Sequence, residues 1–148
     1  MSLFAVPSSH YSCTPQGAFC NDEIEYAVTA PVLVGQQATA VITIHARSSD
    51  GVEDRLSELE VCVTVPRASL GSATVSPACP GAQLADCSAS SRVWHVDSLE
   101  QGDSLTFSVP FTPAAAGGIW VGFSVRSLEI EQVIDLRTLV TVSSCSAS

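Results

Sequence analysis

The residues of this chain with the widest chemical repertoire are three histidines, His10, His45 and His95, and six cysteines. Nucleophilic catalysis needs a serine or cysteine held beside a histidine that a carboxylate orients. Serines are abundant, but no Gly-x-Ser-x-Gly elbow occurs. The His-Glu-x-x-His pair of a zinc protease is also absent. His45 and His95 fall on alternating stretches at positions that face outward, so they read as solvent-exposed polar residues. Calcium favours oxygen ligands, and Asp50, Glu53 and Asp54 cluster around Gly51. No EF-hand pattern surrounds them, and a turn with a solvated charge run accounts for the same residues. Asn21-Asp22-Glu23 with Glu25 forms a second acidic group of the same kind. The sequence therefore assigns no catalytic residue, no cofactor and no metal site.

The cysteines favour a structural reading. No Cys-x-x-Cys pair is present, whereas zinc sites use closely spaced ligands. An even number of cysteines at loop-like spacings fits disulfides formed in an oxidising compartment. Reduced, buried thiols are the alternative. Sequence cannot choose among the connectivities. Cys13–Cys20 and Cys79–Cys87 are the expected local staples, and Cys62–Cys145 pair by elimination. Cys62 and Cys145 both face outward, so bonds to neighbouring subunits are another outcome.

Two tryptophans differ in setting. Trp94 shares the inward positions with Val96 and belongs to the core. Trp120 lies on the polar face of its strand, where a large aromatic marks an interface or is covered by a loop.

The elements that carry these residues are strands. Leu105, Phe107, Val109 and Phe111 alternate with Ser104, Thr106, Ser108, Pro110 and Thr112. A period of two means one buried and one wet face. Pro110 cannot donate to a ladder, so this strand is expected at an edge or to end there. Similar alternation runs through 38–47, 58–65, 119–126 and 134–142. Shorter candidates are 24–29, 73–76 and 92–96. Glu53 to Glu60 is ambiguous, because Leu56 and Leu59 also fit one helical turn. Gly117-Gly118 reads as a hairpin turn. Ser76 to Arg92 reads as a long loop pinned by Cys79–Cys87, a staple contributing roughly 2–4 kcal/mol.

The chain has 148 residues, enough for one domain. Residues 1–23 are expected to form an N-terminal segment with its own disulfide, 24–145 the single domain, and 146–148 a tail. Asp and Glu number 15 against 6 basic residues, all of them Arg, for a net charge of −9. Such a balance argues against nucleic acid and against anionic membrane surfaces as partners. No stretch approaches the roughly 18 apolar residues of a membrane span. The start, Met1 to Pro7, lacks the basic region of a signal peptide. Either a signal was removed and Met1-Ser2-Leu3 added, or export uses another route.

Val93-Trp94-His95-Val96-Asp97-Ser98-Leu99-Glu100-Gln101-Gly102-Asp103-Ser104 and the alternating strand after it resemble a hallmark of bacterial and archaeal surface repeats. These are the "domain of unknown function eleven" and the related CARDB adhesion modules. Val34-Gly35-Gln36-Gln37 with the strand to Ile44 resembles their earlier turn and strand, and Leu59 to Pro66 a strand that ends in proline. The chain departs from them at Arg47-Ser48-Ser49-Asp50-Gly51, where an Asn-x-Gly is usual, and in its six cysteines. The resemblance implies an Ig-like topology and a structural or adhesive role.

The resulting expectation is an all-β protein: an Ig-like antiparallel β-sandwich of seven to eight strands, stapled by disulfides. Its function is expected to be structural or adhesive, outside the cytoplasm, without enzymatic activity. Partners are proteins or further copies of the chain, met through strand edges, loops or the Trp120 face, with no membrane insertion. A self-assembling coat component, such as a virion decoration or head-fibre protein or an appendage subunit, is the first alternative. A carbohydrate-binding module presenting Trp120 is the second.

Overall fold

Alternating β-branched and aromatic residues bury one face of each strand and leave the other to Ser, Thr and charged residues. A computed structural model describes residues 9–11, 24–29, 32–46, 56–77, 81–100, 102–128 and 133–144, with 9–11 and 85–87 described by their backbone. One sheet contains β1 (Ser9–Tyr11), β2 (Ile24–Val28), β3 (Ala38–His45), β5 (Ala68–Leu70), β6 (Thr74–Ser76) and β9 (Ser104–Pro113). The second contains β4 (Leu56–Thr64), β7 (Ala82–Cys87), β8 (Ser91–Leu99), β10 (Gly117–Arg126) and β11 (Ile134–Val142). The orders are β1-β2-β3-β9-β5, with β6 also on β9, and β11-β10-β4-β8-β7. Every strand pair is antiparallel. β3 pairs with β9, and β4 lies between β8 and β10, so non-consecutive strands interlock the two layers.

The core lies between the sheets. Ile42, Ile44, Phe107, Val109 and Phe111 come from one layer, and Leu59, Val61, Val63, Phe123 and Val125 from the other. Trp94 meets Phe107 across the interface with ring centroids 4.9 Å apart, and Tyr26 meets Phe123 at 5.3 Å. Small Ala38 and Ala40 pair with the larger Phe111 and Val109, so bulk alternates with space. Each fully buried aliphatic or Phe side chain contributes about 1.5–3 kcal/mol, which makes this interface the main source of stability.

The all-β sandwich matches the sequence expectation, but eleven strands are seen among the described residues where seven to eight were expected. The eight stretches read from the sequence all carry strands; β1, β5 and β7 are additional. β5 is only three residues long, too short for alternation to register. β7 occupies part of the expected 76–92 loop, and a register shift between Leu84 and Asp86 breaks its period. The ambiguous Leu56 to Glu60 is a strand. Glu58 has a φ of 48°, and this kink turns both Leu56 and Leu59 inward despite their spacing of three.

Two turn expectations are also corrected. Gly117-Gly118 makes no hairpin, because β9 and β10 lie in different sheets and the link crosses between them. Pro110 neither ends β9 nor lies at an edge; β9 is flanked on both sides. The Pro110 carbonyl accepts the Gly71 N–H at 2.7 Å. Its missing N–H therefore points to the same side, where the partner strand is interrupted between β5 and β6, and no ladder bond is lost.

The disulfide expectations fare differently. Cys13, Cys20, Cys79 and Cys145 lie outside the described residues, and Cys87 is described by its backbone alone. Cys62 is a free thiol, so the Cys62–Cys145 bridge is not formed. Register gives the reason. Cys62 lies opposite Ser124, and Ser124 opposite Asp135. Val142 is seven residues further along β11, about 23 Å at the usual strand rise. The described part of β11 thus runs away from Cys62 toward its C-terminal end.

Candidate functional site

The outer face of the second sheet holds the clearest exposed apolar feature among the described residues. Trp120 on β10 pairs with Leu139 on β11, and each is 50% exposed. The Arg137 guanidinium lies 4.8 Å from the Trp120 ring centroid, a cation–π contact at an exposed site. Gly122 follows on the same face, and its missing side chain opens a shallow cleft of ≈230 Å³ among Thr64, Ser124, Asp135 and Arg137. Cys62 lines this cleft, with its Sγ 3.7 Å from the Thr64 hydroxyl. The expected interface residue is thus open to solvent on one side and braced by Arg137 on the other. β11 forms the edge of this sheet, pairing with β10 over Ile134–Val142. Among the described residues, the chain pairs with a second segment just past β11, at Ser143, through a parallel bridge to Leu33.

A second cleft, ≈420 Å³, opens between the layers at the opposite edge, lined by Leu70, Gly71, Ser72, Ala73, Leu84 and Arg92. Arg92 projects from an inward position and donates to the Leu70 carbonyl at 3.3 Å and to the Ser88 carbonyl at 2.8 Å. It ties β8 to the other sheet at a place where the core runs out.

The histidines are more engaged than their outward positions suggested. His95 is exposed and faces Glu60 at 3.2 Å, and Arg126 reaches the other Glu60 oxygen at 3.8 Å. His45 corrects the expectation, because its side chain is only 17% exposed. Cross-strand register sets Ser104 directly opposite it, and Glu25 lies one strand away on the other side. His45 Nε2 is 2.8 Å from Glu25 Oε2, and Nδ1 is 2.5 Å from Ser104 Oγ. In the neutral ring, the carboxylate accepts Nε2–H, which leaves Nδ1 to accept the serine hydroxyl. Backbone bonds hold this end of the sheet: Ala46 N–H donates to the Asp103 carbonyl at 2.9 Å, and Gly102 N–H to the Ala46 carbonyl. Gly102 has a φ of 91°, a turn conformation that glycine adopts without strain.

Sequence reasoning missed this line because Glu25 and Ser104 are 20 and 59 residues from His45. Only the β2–β3–β9 register brings them together. The acidic groups Asp50, Glu53, Asp54 and Asn21-Asp22-Glu23 lie outside the described residues, as does the side chain of His10. Among the described residues, no three His, Cys, Asp or Glu side chains are grouped to hold a metal ion.

No family model matches the chain, and no curated protein matches it. Solved structures do match its fold. A cohesin module from a Clostridium perfringens family 33 glycoside hydrolase superposes with a TM-score of 0.58 at 14% identity, over 82% of this chain and 96% of that one. The collagen-binding domain of a Staphylococcus aureus adhesin gives 0.50 at 8% identity, over 78% and 96%. AvmM, which catalyses macrocyclization in alchivemycin A biosynthesis, gives 0.50 at 10% identity, over 95% and 98%. At these identities the likeness is one of fold, and the three share a sandwich while differing in role.

Proposed function

We propose that this chain is a non-catalytic structural or adhesive Ig-like module, displayed outside the cytoplasm, that docks other proteins through the Trp120 face and the adjoining β11 edge. The observation that carries this reading is the Trp120–Leu139 pair, half-exposed beside an edge strand on the outer face of the second sheet. Large aromatics with Arg are the residue types enriched where proteins bind. The fold likeness to a cohesin module and a collagen-binding domain supports the same reading. Kinship with the bacterial and archaeal surface repeats, argued above from residues 93–104 and the strand after them, belongs to this proposal.

Surface plasmon resonance against collagen, other extracellular-matrix proteins and a glycan array tests it. The expected result is protein binding that Trp120→Ala weakens tenfold or more, about 1.4 kcal/mol. A protein ligand whose binding ignores Trp120→Ala would move the contact elsewhere. A glycan hit lost in Trp120→Ala would favour a carbohydrate-binding module, a reading that Arg137 over the indole ring disfavours.

The second reading is a self-assembling coat or appendage subunit. One observation favours it: two β11 strands paired antiparallel about Leu136 would set each Asp135 against the Arg137 of the other copy. Sedimentation equilibrium should then show a dimer that Arg137→Glu dissociates and Arg137→Glu with Asp135→Arg restores. A monomer at all concentrations would remove this reading.

A further inference from the structure

We propose that Ser104 is a base-activated nucleophile that accepts an acyl group from a small activated ester. The proposal goes beyond the docking role and stands on a different face, the outer side of the first sheet. Its basis is the Glu25–His45–Ser104 line, at 2.8 and 2.5 Å. Three features distinguish it from an ordinary surface contact. The imidazole is bonded at both nitrogens, so its tautomer and orientation are fixed together. The ring is mostly shielded, with 17% of its side chain exposed, while Glu25 keeps 39%. In the neutral ring the serine hydroxyl donates to a nitrogen whose partner nitrogen is anchored on a carboxylate, the arrangement that makes a hydroxyl nucleophilic. A comparison on the same face is Thr43 and Thr106, whose hydroxyls bond to each other at 2.9 Å with no imidazole between them and a carboxylate.

The step is an acyl transfer. Ser104 Oγ forms a bond to the ester carbonyl carbon while its proton passes to His45 Nδ1. Glu25 holds the resulting imidazolium through Nε2–H. The bond to the alcohol oxygen then breaks, and the alcohol leaves, taking the proton back from His45. The products are an acylated Ser104 and the free alcohol. Neither cleft described above is lined by Ser104, and a small reactive ester, which brings its own good leaving group and needs no deep pocket, is the class proposed.

The test incubates the folded protein with p-nitrophenyl acetate and locates acetyl groups by mass spectrometry over time. Ser104 should be acetylated about 100-fold faster than Thr43, Thr106 and Ser108, the lower end of what a positioned general base supplies. His45→Gln should bring Ser104 down to their rate. Glu25→Gln should also slow it, because an amide can donate to Nε2 and force the proton onto Nδ1, while the melting temperature stays near that of the unaltered protein. Ser104 reacting no faster than its neighbouring hydroxyls, or at an unchanged rate in His45→Gln, would overturn the proposal. If His45→Gln fails to fold, the comparison of Ser104 with Thr43 and Thr106 inside the unaltered protein still decides.

Discussion

Phe107 and Glu60 show how differently single residues weigh. Phe107 is fully buried, and its ring packs on Trp94 of the opposite sheet. Phe107→Ala removes that bulk from a place that cannot collapse, and urea unfolding should show a loss of about 3–5 kcal/mol. Glu60 faces His95 and Arg126 near the surface, where both partners are more than half exposed. Solvent screens such pairs, so Glu60→Gln should change stability by about 1 kcal/mol or less in the same experiment. The core role of Phe107 was legible in its alternation, as was the inward Trp94 and the outward Trp120. The involvement of His45 was not, because parity reports which face a residue is on and says nothing of which neighbours share it.

Strands differ in how far the chain announces them. Ser104 to Thr112 and Ala38 to His45 alternate over enough residues to fix both their type and their buried face. β7 was hidden by its register shift, and β5 by its shortness. The pairing of β9 with β3, and the passage from β9 to β10 between sheets, depend on contacts distant in sequence that no local pattern carries. Native-state hydrogen exchange checks the order. Amides of β3, β4, β9 and β10, flanked on both sides, should exchange slowest. Outward-directed amides of β11 should exchange faster, because an edge strand leaves them unpaired. Equal protection along β11 and β9 would mean that the edge is covered.

The whole molecule is an acidic sandwich whose stability comes from the interface between its sheets and whose exposed chemistry lies on their outer faces. Export and local staples predict a thiol count. Cys13–Cys20 and Cys79–Cys87 would consume four of the six thiols and leave two, Cys62 and Cys145. Denaturation without reductant, followed by titration with a thiol reagent, should therefore give two. Six would contradict an oxidising compartment. The docking face has a more direct reporter, since Trp120 is half-exposed and Trp94 is buried. Single-tryptophan proteins made by Trp94→Phe and Trp120→Phe separate the two signals under acrylamide quenching. Trp120 should be quenched readily in dilute protein and protected when a partner or a second copy is bound, while Trp94 resists throughout. Trp120 as shielded as Trp94 in the free, dilute chain would contradict an open docking face.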